Sequence, residues 1–202
     1  MHKRWQLLQA LTDHYGYRDY LEIGTGTATT LLKLKINRKW GVDPHPRVWH
    51  PGMSVFAMTS DAFFEENDRH FKQDFDLIFV DGLHHAGQTL ADIWNALEWL
   101  RPNGTIVCHD MNPPSEGHQV VPRQQEEWTG DCWKAWIELR RTRSDLHMQV
   151  VDMDFGCGVI RRGQQDTIEA IEYPMFDDLV EHRQEWLNLV SPQDFLNELH
   201  GL

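Results

Sequence analysis

The apolar residues of this chain fall into short runs and helical stripes that alternate along its length. Residues 3 to 15 place them at helical spacing and stop at Gly16. Runs of strand length follow at Arg18-Asp-Tyr-Leu-Glu-Ile23, Trp40-Gly-Val42, Val55-Phe-Ala-Met58, Phe75-Asp-Leu-Ile-Phe-Val80 and Thr105-Ile-Val-Cys108. Between them, Thr29-Thr-Leu-Leu-Lys-Leu34 reads as a helix start. Gln88 to Leu100 carries Leu90, Ile93, Trp94, Leu97 and Leu100 on one helical face, stopped by Pro102-Asn-Gly104. Residues 111 to 129 hold three prolines and form a long irregular loop, a length that usually marks function or disorder. A helix over 131 to 143 is followed by two strands, Met148 to Met153 and Gly158 to Arg161. The tail from 166 reads as largely helical, with Ser191-Pro192 as a cap and first turn. Strands alternating with helices predict an α/β, doubly wound, mostly parallel sheet.

In such sheets ligands bind outside the carboxyl ends of the strands. The first strand runs into a glycine turn, Tyr20-Leu-Glu-Ile-Gly-Thr-Gly-Thr-Ala-Thr29, and the second ends in Asp43. Glycines there allow a sharp turn and a close approach to a ligand, and the distant acid is placed to accept hydrogen bonds from ribose hydroxyls. Thr29 stands where a dinucleotide fingerprint has its third glycine, and no Gly-Lys-Ser/Thr follows. A ligand with adenosine but no phosphates fits better.

Over roughly residues 18 to 160 the chain resembles the class I S-adenosylmethionine-dependent methyltransferases, whose first motif reads acid-x-Gly-x-Gly. The resemblance implies a Rossmann-like, seven-stranded sheet with an antiparallel last strand. It also implies a methyltransferase domain over 1–165 and a helical extension over 166–202 packed on it. S-adenosylmethionine would lie against Glu22, Gly24, Thr25 and Gly26, with Asp43 on the ribose, Ser60 and Asp61 bordering the adenine, and Asp81 at the far side.

A second stretch narrows the family. Phe79-Val-Asp-Gly-Leu-His-His85 and Gly104-Thr-Ile-Val-Cys-His-Asp110 are similar to segments of the macrocin- and catechol-type small-molecule O-methyltransferases. In catechol-type enzymes the acid after the fourth strand binds magnesium, and a lysine three residues on is the base. Here those positions are Asp81 and His84, so the resemblance makes His84 the base, with His109 the other candidate. Asp81 and Asp110 would hold magnesium or another divalent cation, or orient the base. A neutral imidazole suits proton removal from a hydroxyl at neutral pH. The pattern has a further oxygen ligand after the second acid, where this chain has Met111, with Asn112 one further on as a substitute. Asn112-Pro-Pro-Ser115 is similar to the motif of nucleobase amino-methyltransferases, but it follows the wrong strand and lacks the closing aromatic, and reads as a stiff loop start. Glu116, His118, Gln119, Arg123, Trp128 and Trp133 are candidates to line an acceptor pocket.

Composition limits the partners. With 31 acidic and 19 basic side chains in 202 residues the formal charge is −12, which disfavours nucleic acid. The best basic patch, Arg140, Arg141 and Arg143, also fits a solvated helix end. No apolar run approaches bilayer length and the first residues lack a signal segment, so a cytoplasmic protein without membrane contact is expected. Cys108, Cys132 and Cys157 show no paired spacing and read as buried thiols. The expected activity is O-methylation of a small hydroxylated acceptor, such as a sugar, glycoside or natural product. A cofactor-binding protein without methyl transfer, a metal-dependent hydroxylase-type relative and a homo-oligomeric state stay open.

Overall fold

The computed structural model describes residues 1–71 and 74–202. Its order is α1 (Arg4–Tyr15), β1 (Asp19–Ile23), α2 (Thr29–Lys33), β2 (Arg38–Val42), β3 (Ser54–Phe56), α3 (Ser60–Phe71), β4 (Phe75–Val80), α4 (Ala86–Trp99) and β5 (Leu100–Cys108). Then come α5 (Glu116–Gln119), α6 (Trp133–Thr142), β6 (Leu146–Val151), β7 (Cys157–Arg162), α7 (Phe176–Leu187), β8 (Leu189–Val190) and α8 (Pro192–His200).

The strands form one sheet in the order β3-β2-β1-β4-β5-β7-β6-β8. β1, β2, β3, β4 and β5 pair in parallel, and β7 runs antiparallel to both β5 and β6. The switch point lies between β1 and β4, where strand order reverses and where open sheets bind ligands. Every residue of β1 is buried, as a strand covered on both faces requires.

The period of two sorts side chains onto two cores. Leu21, Ile23, Ile78 and Val80 face the layer made by α3, α4, α6 and α7, with Trp133 and Trp136 fully buried there. Tyr20, Leu77 and Phe79 face the other layer, made by Leu7, Leu8 and Leu11 of α1, Leu31 of α2 and Phe195 of α8. All three cysteines are buried and free.

Two elements differ from the sequence expectation. The sheet has eight strands where seven were expected, because Leu189 and Val190 of the tail pair in parallel with Val150 and Val151. β5 begins at Leu100 and runs through Pro102, with a register shift opposite Phe75 to Leu77 that absorbs the proline. At the tail, Ser191 Oγ accepts from Asp194 N–H, the expected cap. Among the described residues no helix is long and apolar enough to cross a membrane.

Candidate active site

The carboxyl ends of β1, β2, β4 and β5, together with α1 and the loop before α6, enclose an open cleft of about 940 Å³. The glycine turn forms its floor. Gly24 (φ +83°) lies so close to β4 that a Cβ would stand 2.0 Å from the Asp81 carbonyl oxygen. Gly26 (φ +48°) has open space on its side-chain face. Asp43 ties the turn to β2: one carboxylate oxygen accepts the Gly26 N–H at 2.8 Å and the other the His45 N–H at 2.8 Å. A carboxylate has about four acceptor positions, so two remain for a ligand.

Of the sequence candidates, Glu22, Gly24, Thr25, Gly26, Asp43, Asp81, His84, His109 and Asp110 line the cleft. Ser60 and Asp61 lie outside its lining, at the start of α3, where Gln88 Nε2 donates to both and to Asp92. Arg123 and Trp128 line it; Glu116, His118, Gln119 and Trp133 do not. Met111 is fully buried in the core, and Asn112 is held by Asp152 and Arg183 away from the cleft, so neither supplies an oxygen beside Asp81.

At the centre, His84 bridges two acids. Its Nε2 lies 3.2 Å from Asp81 Oδ1 and its Nδ1 3.1 Å from Asp110 Oδ2. His109 Nδ1 sits behind, 2.9 Å from Asp110 Oδ1 and 3.3 Å from Asp81 Oδ1. The side chain of His84 is 23% exposed and that of His109 only 3%. Trp128 lies nearly parallel to the His84 ring, centroids 5.5 Å apart at 21°. Its Nε1 donates to the Val120 carbonyl at 2.6 Å, and Asp131 accepts the Ala86 N–H at 2.7 Å, fixing the loop to the start of α4.

Arg4 and Asp154 were not among the sequence candidates. Arg4 Nη1 lies 2.5 Å from Asp81 Oδ2, while its Nε and backbone N–H both donate to Asp154 Oδ2, at 3.1 and 3.0 Å. They belong to α1 and to the β6–β7 turn, 150 positions apart, and no local pattern joins them. His84, Asp110, Asp154 and Phe155 all have φ between +47° and +65°. Non-glycine residues in that region cost on the order of 1–3 kcal/mol each, and their gathering at one cleft marks a site whose surroundings impose its geometry.

Pairing outweighs burial in the electrostatics. Burial opposes charge on Asp81, yet His109, His84 and Arg4 hold it well below the carboxylate range. Burial pulls His109 down, but Asp110 and Asp81 raise it to about 10. His84 is likewise raised, burial being outweighed by Asp81 and Asp110. Glu22, fully buried, is pushed up to about 8 by desolvation and Asp81 against the hydrogen bond from Tyr20 Oη at 2.6 Å.

Asp81, His84 and Asp110 each offer one donor atom within 4.8 Å of the others. That spacing fits a divalent cation, with two hard oxygens and one imidazole as donors. Asp81 Oδ2, however, already carries Arg4.

The comparisons with known proteins agree with this architecture. Residues 21–111 match the family model of a methyltransferase domain. No curated protein matches the chain. Among solved structures, the O-methyltransferase TomG of Streptomyces achromogenes, involved in tomaymycin synthesis and bound to SAM, is 16% identical over 79% of each chain with a TM-score of 0.59. An O-methyltransferase of Bacillus cereus in complex with SAH is 16% identical over 78% of each chain, TM-score 0.55. The MycE methyltransferase of the mycinamycin pathway, in complex with Mg, SAH and mycinamycin VI, is 15% identical over 83% of this chain and 51% of its own, TM-score 0.56. Over residues 21–111 the chain is thus similar to a methyltransferase domain, and its fold is that of these methyltransferase structures.

Proposed function

We propose that the protein is an S-adenosylmethionine-dependent O-methyltransferase acting on a small hydroxylated acceptor, such as a sugar, glycoside or other natural-product hydroxyl. The observation that carries this reading is His84, partly exposed in the cleft and held between Asp81 and Asp110, on the far side of the glycine turn from Asp43.

When bound, S-adenosylmethionine would supply a methyl group on a positively charged sulfur, the new O–C bond forming as the C–S bond breaks, with the C–S electron pair kept by sulfur and the hydroxyl proton passed to a base. Gly24, Thr25, Gly26 and Asp43 would hold the cofactor, with Glu22 beneath the turn; Ser60 and Asp61, outside the cleft lining, would lie beyond it on the adenine side. His84 is the base. His109 is buried and raised to about 10, so it keeps its proton and serves as a fixed positive group behind the acids. Asp81 and Asp110 orient His84 and raise its proton affinity. Trp128 covers the imidazole and limits water beside it. Most of the acceleration is expected from holding the acceptor oxygen in line with the methyl–sulfur bond. A divalent cation on Asp81 and Asp110 would lower the pKa of the acceptor hydroxyl.

The same reading takes residues 1–165 as the catalytic domain and 166–202 as its extension, and includes a cytoplasmic location and no nucleic-acid partner. The free buried cysteines support the first and the charge of −12 the second. The three arginines of the best basic patch are all engaged: Arg140 with Gln165, Arg141 with Glu138 and Arg143 with Asp145. The test is a panel of hydroxylated glycosides incubated with methyl-labelled cofactor. Label should reach an acceptor oxygen with wild type and be lost with His84→Ala, while S-adenosylhomocysteine still binds. Parallel loss of cofactor binding in that variant would remove His84 from the role of base.

A further inference from the structure

Arg4 reaches the carboxylate that any metal in this cleft would need. Its guanidinium is delivered by the first residue of α1 and gripped from two directions. Asp154 accepts both the backbone N–H that opens the helix and the side-chain Nε, and Asp81 receives Nη1. Lys3 adds a weaker contact to Asp154 at 3.6 Å. Asp154 takes the left-handed backbone conformation (φ +47°) that brings its carboxylate there. Arg4 therefore reaches Asp81 as part of the helix start, with little freedom to swing.

The cation donor set closes around the same acid. Asp81, His84 and Asp110 are within reach of one ion. Behind them His109 is almost fully buried, its Nδ1 directed at both carboxylates and neither ring nitrogen in a hydrogen bond. An ion there would share Asp81 with Arg4: Oδ2 is 2.5 Å from Nη1 while Oδ1 faces His84 and His109 at 3.2 and 3.3 Å, so the guanidinium's positive charge opposes a second cation on the same carboxylate. A guanidinium stays charged at any ordinary pH and offers a planar set of donors. Among the described residues the Arg4 Nη2 makes no hydrogen bond, so it is left to donate to an acceptor oxygen in the cleft.

We infer that Arg4 is the resident cation of this site. It occupies the place of a divalent metal on Asp81 and positions the acceptor oxygen, so methyl transfer proceeds without added metal. The inference rests on the proposed methyl-transfer role of the cleft, but its test uses neither cofactor nor acceptor, so the two can fail separately.

Manganese(II) binding to the full chain is followed by the EPR signal of free Mn2+, with circular dichroism to confirm folding. Wild type is expected to take up no Mn2+ in the submillimolar range. Arg4→Gln should bind about one ion per chain at least tenfold more tightly, and Arg4→Gln with Asp110→Asn should lose it. Arg4→Lys, which restores a positive charge, should again exclude the ion. If Arg4→Gln does not fold, Asp154→Asn loosens the anchor and keeps an acceptor for the helix start; it should bind Mn2+ more tightly than wild type. Equal Mn2+ affinity in wild type and the folded variants, or no binding in any of them, overturns the inference.

Discussion

Gly130 meets His84 backbone to backbone: a Cβ at Gly130 would stand 1.8 Å from the His84 carbonyl oxygen, and its φ is +60°. This contact lets Trp128 lie over the imidazole and Asp131 reach the N–H of Ala86. Gly130→Ala should therefore move the loop away from His84, at a cost of roughly 2–4 kcal/mol of stability. Thermal melting and tryptophan fluorescence read both effects. An unchanged melting temperature with native fluorescence would contradict the assignment of this contact.

In the proposed role of His84 as base, the acids around it set the pH at which it acts. A base works in its neutral form, and His84 is raised above its ordinary value of about 6.5 by Asp81 and Asp110. The acid limb of kcat/KM should lie above that value. Asp110→Asn removes one of the raising carboxylates, so the limb should move to lower pH. His84→Ala should lower kcat roughly 10²–10⁴-fold and leave cofactor affinity close to wild type. A limb that stays in place in Asp110→Asn would mean another group is being titrated.

Glu22 makes stability depend on pH with a defined sign. In the folded chain it keeps its proton up to about 8, while an unfolded carboxyl releases it near ~4.3. The folded state thus binds the extra proton, and this contribution is complete below the unfolded value and lost as pH rises through the folded one. Glu22→Gln cannot ionise and still offers an oxygen to the Tyr20 hydroxyl. From about pH 6 to about pH 9 it should gain on wild type by on the order of 1–3 kcal/mol in denaturant unfolding. A constant difference across that range would show that Glu22 is ionised when folded.

Much of the cleft lining was legible because it lies at strand ends, and strand ends follow from the apolar runs. Glu22, Gly24 and Gly26 at β1, Asp43 at β2, Asp81 with His84 after β4, and Asp110 after β5 all come together at one edge of the sheet. Arg4 and Asp154 escaped because their partnership exists only once α1 packs beside the β6–β7 turn. The sequence there shows an ordinary helix start and a Phe155-Gly156 turn. Asn112 was offered as a substitute metal ligand on spacing alone. The structure commits it to Arg183 and Asp152, a tertiary pairing that spacing does not register. β8 was hidden for another reason: two residues are too few to display a period of two, and only the neighbouring edge of β6 makes them a strand.

Methyl transfer in this cleft requires S-adenosylmethionine at the glycine turn. Calorimetric titration of the full chain with S-adenosylmethionine and S-adenosylhomocysteine tests it most directly, with Asp43→Ala as the comparison. Both ligands should bind wild type in the micromolar range, and Asp43→Ala should weaken both at least tenfold, since its carboxylate accepts the Gly26 N–H and lines the cleft. Absence of binding by either ligand to folded wild-type protein would contradict the claim that this cleft serves methyl transfer.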